Sequence, residues 1–170
     1  FLVKIENDGN TPRTFVVKAE ESTEEGWTVS YHASMLDIAS QIRGSAGYAT
    51  SSLAPGASEV IAVEMSPDAS VTAEGSRTTV LRVYLDGEDT TVRDAVQATT
   101  TAGVVVQPDL LIKAEGDEDT AYASGGVYQT TPADGQIRSQ SVGSGAAALY
   151  QVKVKNDGNA PHAFLLKATE

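Results

Sequence analysis

The same stretch of sequence occurs twice, once near each end of the chain. Residues Val3–Ala19 read VKIENDGNTPRTFVVKA, and residues Val152–Ala168 read VKVKNDGNAPHAFLLKA. When Phe1 is aligned with Tyr150, 11 of 21 positions are identical at a constant offset of 149 residues, without a gap. The repetition predicts that the chain holds slightly more than one period of a tandem array.

A period of this length indicates one whole domain per repeat. Solenoid units run roughly 20–50 residues, whereas a β-sandwich domain fits the observed spacing. We predict that residues 1–107 are the later strands of one repeat and that residues 108–170 are the opening strands of the next. Pro108 marks the junction, because proline cannot donate a ladder hydrogen bond. Residues 1–21 and 150–170 are then equivalent strands, and we expect the chain to be a window onto a longer or processed protein.

Apolar residues alternate with polar ones at a period of two, which is typical of β-strands. Only residues 32–45 have helical spacing, through Met35, Ile38 and Ile42. The pattern predicts an all-β, antiparallel, immunoglobulin-like β-sandwich with at most one short helix. Asp8-Gly9 is expected to turn the chain through a positive φ. The residues expected in core or assembly strands are Val3, Ile5, Phe15, Trp27, Leu110, Ile112, Val152, Val154 and Phe164.

The composition argues against several kinds of partner. The net charge is −11, so the surface repels phosphate backbones and anionic lipids, and we expect no nucleic-acid partner. There are no cysteines, which removes disulfides and thiol chemistry, and only two histidines, His32 and His162. No apolar run approaches the 18 residues of a membrane helix, so we expect no membrane insertion in this segment.

Several motifs resemble one known group of repeats. The stretches VKIENDGNTPRTFVV, GWTVSYH and LAPGASEVIAVEMSP resemble bacterial and archaeal extracellular immunoglobulin-like tandem repeats of the NEW3/CARDB-like kind, found in surface and filament repeat proteins. The stretches PDLLIK, VYQTTPADGQIRSQSV and TTVRDAVQATTTA are similar to a related pattern of surface repeats. The resemblance covers most of the chain. It implies a structural or binding module of a secreted, surface or filamentous protein, and it brings no catalytic motif.

Chemical sites are weakly indicated. The acidic run Glu115–Thr120 contains Asp117 and Asp119, whose oxygens are weak candidates for binding Ca²⁺; the alternative is a solvated loop. Trp27 is interpreted as closing the core, with a carbohydrate-stacking platform as the alternative. No GxSxG, HExxH or Gly-rich phosphate loop occurs, and neither histidine is placed for catalysis. We therefore expect no enzymatic activity and no cofactor.

Three functions remain open at this level. The first is a structural repeat of a secreted or cell-surface fibre, filament or stalk, whose partners are copies of itself or adjacent repeats joined head to tail by strand pairing or strand complementation. The second is a carbohydrate- or protein-binding adhesin module that uses the loops AYASGGVYQTT, with Tyr122 and Tyr128, and GSAGYATSS. The third is a spacer domain of a large secreted hydrolase. In each case we expect an extracellular or cell-surface location.

Overall fold

The protein is mostly β, with 42% of residues in strands and 6% in helices. The computed structural model describes residues 1–88, 90–122, 125–132 and 134–168. Every strand pair in this part of the chain is antiparallel, which confirms the all-β, antiparallel prediction. In chain order the elements are β1 (Leu2–Glu6), β2 (Phe15–Glu21), β3 (Trp27–Ala33), β4 (Leu36–Asp37), α1 (Ala39–Arg43), β5 (Tyr48–Ala49), β6 (Ser58–Pro67), β7 (Ser76–Leu85), β8 (Asp94–Thr101), β9 (Pro108–Ala114), 3₁₀ turns at Asp119–Ala121 and Asp134–Gln136, and β10 (Tyr150–Asn156).

The chain divides into two compact units, Phe1–Gly103 and Val104–Glu170. The first unit contains two four-stranded sheets, with strand orders β1-β6-β3-β4 and β5-β2-β7-β8. The second contains the two-stranded sheet β10-β9. Strand β1 therefore lies at one edge of its sheet, and β10 pairs with a single neighbour in the described residues.

One hydrophobic cluster joins both sheets of the first unit. Period-two alternation places Val29 and Tyr31 of β3 on the buried side, and Trp27 packs against the same cluster. The buried members are Ile5, Val17, Val29, Tyr31, Ala33, Ile38, Ile42, Leu53, Ile61, Val63, Met65, Leu81 and Ala98. This closed core positions β1 rigidly, because Ile5 is 5% exposed and anchors the strand.

The short helix begins later than the sequence spacing predicts. Ile38 and Ile42 are fully buried, but Met35 is 97% exposed and has a φ of 70°. The helix begins at Ala39, whose amide donates a hydrogen bond of 2.8 Å to the Asp37 side chain. Met35 lies in the turn between β3 and β4 and does not belong to the apolar face of the helix.

The β9–β10 sheet does not bury the face that the sequence predicted to be in the core. Asp109, Leu111 and Lys113 of β9 are buried, whereas Leu110 is 47% exposed. The register places Leu110 opposite Val154, and Ile112 opposite Val152, on the exposed face. The second unit therefore presents an apolar face to solvent and buries two charged residues on the other side.

The second copy of the repeated stretch departs from the first after its loop. Residues 161–168 form no strand, although their counterparts include β2. In the first unit β2 is held by β5 and β7 on either side. Residues 104–170 contain no counterparts of β5 and β7, so the backbone of residues 164–168 has no ladder to join.

Candidate functional site: two complementary strand edges

The repeated loop folds in the same way in both units. In the first, Asn7 Nδ2 donates to the Thr11 carbonyl at 2.9 Å, and the Gly9 amide donates to Asn7 Oδ1 at 3.0 Å. In the second, Asn156 Nδ2 donates to the Ala160 carbonyl at 2.8 Å, and the Gly158 amide donates to Asn156 Oδ1 at 3.1 Å. An asparagine side chain of this kind replaces a backbone turn. The chain turns at Asp8-Gly9 as expected, but neither Gly9 nor Gly158 has a positive φ.

The environment of the asparagine differs between the two loops. Asn7 is 2% exposed and also donates to the Leu53 carbonyl at 2.7 Å. Asn156 is exposed, and its described hydrogen bonds stay within its own loop. At the offset of 149, the counterpart of Leu53 lies beyond the described residues. The same local structure is therefore complete in the first unit and lacks its long-range partner in the second.

Strand β1 uses one set of backbone groups to bond β6. Phe1 and Val63 exchange hydrogen bonds in both directions, and the Asn7 amide donates to the Ala57 carbonyl at 3.0 Å. Bonded pairs alternate along an antiparallel ladder, so Val3 and Ile5 also bond toward β6. The backbone groups of Leu2, Lys4 and Glu6 consequently point to the open edge of the sheet.

Strand β10 uses the other set to bond β9. The Glu115 amide donates to the Leu149 carbonyl at 3.0 Å, and the Asp157 amide donates to the Gln107 carbonyl at 2.8 Å. The same alternation assigns the backbone groups of residues 151, 153 and 155 to β9. These three positions are the counterparts of residues 2, 4 and 6 at the offset of 149. The two copies of the strand thus pair through opposite edges, and the two sets of bonds do not overlap.

The loop after β10 holds the chain segment that precedes β9. Asn159 Oδ1 accepts a hydrogen bond from the Val105 amide at 2.8 Å, and the Asn159 amide donates to the Val105 carbonyl at 3.2 Å. A β-carbon built on Gly158 would lie 2.2 Å from that carbonyl oxygen. The glycine is therefore required here by the close approach of another backbone.

A groove follows the open edge of β1 in the first unit. Its volume is about 580 Å³. Its lining combines charged side chains at the rim with apolar ones, namely Ile5, Phe15, Val83 and Leu85, that come from both sheets. A strand edge with unpaired donors and acceptors beside an apolar groove is suited to bind an extended polypeptide.

The calcium candidates lie in a loop that a lysine already contacts. Lys113 is 5% exposed, and its Nζ donates to the Asp117 carbonyl at 2.6 Å and to Asp119 Oδ1 at 3.1 Å. The Lys113 ammonium group therefore lies beside oxygens of the two residues that were suggested as Ca²⁺ ligands. Within residues 1–88, 90–122, 125–132 and 134–168, no three His, Cys, Asp or Glu residues are grouped to hold a metal ion.

A second buried charge lies nearby on β9. Asp109 is 1% exposed, and its Oδ2 accepts from the Gly126 amide at 2.9 Å, while its Oδ1 has no hydrogen-bond partner in the described part of the chain. At the surface of the same unit, hydrogen bonds from Lys155 and Tyr128 hold the pKa of Asp157 below its ordinary value. Sequence reasoning missed the burial of Asp109 and Lys113, because charged residues in a strand usually face water.

The aromatic candidates have structural contacts. Trp27 is half-buried against the core, and Phe164 is half-buried, 5.8 Å from the ring of His162. In the loop suggested for an adhesin, the Tyr122 ring lies 5.1 Å from Lys113 Nζ, and Tyr128 donates to Asp157 at 2.9 Å. Ala123 and Ser124 of that loop lie outside the described residues.

Comparisons with known proteins do not place the chain in a family. No family model, no curated protein and no solved structure matches it. Among the described helices, none has the length and apolar character needed to cross a membrane.

Proposed function

We propose that the protein is a structural repeat of a secreted or cell-surface fibre, filament or stalk, assembling by strand pairing or strand complementation between successive modules. In this proposal each module is an immunoglobulin-like β-sandwich with a period of 149 residues. The first unit carries the later strands of one module, and the second unit carries the opening strands of the next.

The opposite use of the two strand edges supports this proposal most directly. Strand β1 bonds the strand that comes later in the module, and β10 bonds the strand that comes earlier. If β1 and β10 are superposed as one strand, the combined sheet has the order β9-β1-β6-β3-β4. The backbone groups on each edge of that strand are then bonded to one neighbour, β9 on one side and β6 on the other. Each copy could have paired through either edge, and the opposite choice is the one that a single module divided between the two units requires.

The apolar face of the second unit gives further support. Leu110 and Val154 lie side by side, 47% and 42% exposed, while Ile5, the counterpart of Val154, is 5% exposed. Leu166 is 59% exposed, whereas its counterpart Val17 is fully buried in the core cluster. These residues have the pattern of a core face that the remaining strands of a module would cover.

A permuted chain tests the module. Residues 104–149 are placed directly before residues 1–103, so that Leu149 is joined to Phe1 as it is naturally joined to Tyr150. We expect a monomer that unfolds in one cooperative transition, at a higher temperature than the first unit does in the natural chain. A matched control joins residues 104–144 to residue 1, which removes five residues ahead of the shared strand. If the permuted chain is no more stable than this control, the proposed module is wrong.

A further inference from the structure

We propose that the open edge of β1 binds residues 105–114 of a second copy of this chain, in the antiparallel register that β9 makes with β10. The inference rests on the proposed function, because it treats the two units as complementary halves of the same module. Transferring the observed register by 149 residues places Val3 opposite Ile112 and Ile5 opposite Leu110.

The backbone bonds of this pairing are already seen within the chain. In the second unit, β9 bonds residues 151, 153 and 155 of β10. The corresponding groups of Leu2, Lys4 and Glu6 lie at the edge of the first sheet, where the described residues provide no neighbouring strand. A β9 strand that moves from β10 to β1 of another copy therefore keeps the same number of ladder bonds.

Two residues of the loop in the first unit lack the backbone contacts that their counterparts make in the second unit. Asn159 and Gly158 hold the backbone of Val105. Their counterparts are Asn10, whose side chain makes no hydrogen bond in the described part of the chain, and Gly9. A β-carbon built on Gly9 would meet only the Asn7 side chain, at 3.0 Å. The first unit thus has counterparts of the residues that bind Val105, and no described segment is bound to them.

Apolar burial favours the exchange. On β10, the Leu110 side chain lies beside Val154 on a face that is largely open to solvent. On β1, it lies beside Ile5 and enters the groove of about 580 Å³ between the two sheets. Removing this apolar surface from water is favourable, while the hydrogen bonds of the strand remain equal in number.

One charge opposes the exchange and provides a test of the register. On β10, Lys155 lies opposite Asp109. On β1 the counterpart of Lys155 is Glu6. Pairing β9 with β1 therefore places the carboxylates of Glu6 and Asp109 opposite each other on one face of the sheet. The substitution Glu6→Lys restores the charge that β10 presents, so it should increase binding of the second copy.

Mixed disulfides between two full-length chains test the proposal directly, because the natural sequence has no cysteine. A Val3→Cys chain is mixed with an isotope-labelled Ile112→Cys chain in a glutathione buffer, and the mixed dimer is measured by mass spectrometry. The matched control replaces Val3→Cys by Leu2→Cys, whose thiol is at a highly exposed position on the opposite face of β1. Only contacts between copies are detected in this design.

We expect about tenfold more mixed dimer with Val3→Cys than with Leu2→Cys, because a one-residue shift turns the thiol to the other face. Glu6→Lys should increase the yield severalfold. Gly9→Ala should decrease the yield while the first unit stays folded at the assay temperature, and Gly143→Ala, at an open position, should have no effect. Equal yields from the two pairs, or no mixed dimer, overturn the inference. A permuted module that still folds would show that the proposed function survives this failure.

Discussion

Gly158 and the Val105 carbonyl group are in such close contact that no side chain fits between them. A β-carbon on the glycine would lie 2.2 Å from the carbonyl oxygen, and 3.1 Å from the amide nitrogen of Gln107. Its counterpart Gly9 has no backbone neighbour of this kind. A glycine is thus required at position 158 by the neighbouring backbone, whereas at position 9 no described backbone approaches it closely.

The first prediction concerns these two glycines. Gly158→Ala should destabilise the second unit by about 1–3 kcal/mol, because the backbone of residues 105–107 must move away. Hydrogen exchange at the Asp157 amide, which bonds the Gln107 carbonyl, measures the loss. Gly9→Ala is the matched control, and we expect a smaller effect on exchange in the first unit, because its β-carbon would meet only the Asn7 side chain and no backbone atom. Equal effects at both positions would contradict the assignment.

The second prediction concerns the paired asparagines. Asn7→Ala should destabilise the first unit by about 1–3 kcal/mol, since the Asn7 side chain makes three hydrogen bonds, to the Thr11 and Leu53 carbonyls and from the Gly9 amide. Asn156→Ala should cost less, because the asparagine is exposed and water replaces its side chain. Thermal unfolding followed by circular dichroism and by the fluorescence of Trp27 separates the units, as this tryptophan lies in the first. A larger effect at Asn156 would show that the burial difference does not matter.

The third prediction concerns pH. Burial alone would raise the pKa of Glu21, but hydrogen bonds from Arg43, Arg77 and Tyr31 outweigh it and hold that pKa below the ordinary value. A lowered folded pKa stabilises the protein above the unfolded pKa, and this contribution is lost as the pH falls through the folded pKa. The unfolding temperature should therefore fall on acidification below about pH 4.5.

Glu21→Gln provides the comparison for the pH effect. The substitution should lower the unfolding temperature at neutral pH and flatten its decrease in acid, because the titrating carboxylate is gone. The matched control is Glu25→Gln, an exposed position in the following loop. A pH profile that Glu21→Gln leaves unchanged in shape would show that the Glu21 hydrogen bonds do not contribute to acid unfolding.

The fourth prediction separates the residues that helical spacing grouped together. Ile42→Ala should destabilise the first unit by about 2–5 kcal/mol, because the side chain is fully buried in the core. Met35→Ala should change stability by less than about 0.5 kcal/mol, since the methionine is exposed in a turn. Urea titration of both variants gives the two free energies of unfolding. Similar values would contradict the position of Met35 outside the apolar face.

Local patterns predicted much of the first unit and little of the second. Alternation along β3 is clear in the sequence, because Thr28 and Ser30 alternate with Val29 and Tyr31. The run DLLIK of β9 has no such alternation, so its sequence does not say which face is buried. Asp109 and Lys113 are buried by the contacts of a later loop with the strand, through Asp117, Asp119 and Gly126. The hydrophobic pattern of β9 alone does not predict these contacts, because they depend on the position of the later loop.

The repeated stretch was the strongest signal for the candidate site, but only its existence was predictable. The sequence shows that residues 2, 4 and 6 correspond to residues 151, 153 and 155. The edge that each copy uses is determined by its partner strand, which is β6 for β1 and β9 for β10. Neither partner is adjacent in sequence to the strand that it pairs with, so the repeated stretch alone does not reveal the edge. Likewise, the Asp-Gly pair suggested a backbone turn, whereas the side chain of the preceding asparagine organises the loop.

The antiparallel ladder between β1 and β6 also determines how the first unit responds to tension. Its hydrogen bonds run perpendicular to the strands. A force along β1 therefore loads the pairs Phe1/Val63, Val3/Ile61 and Ile5/Glu59 simultaneously, as in a lap joint under shear. A force across the strand would break them one at a time, as in peeling, so resistance to stretching depends on the direction of pull.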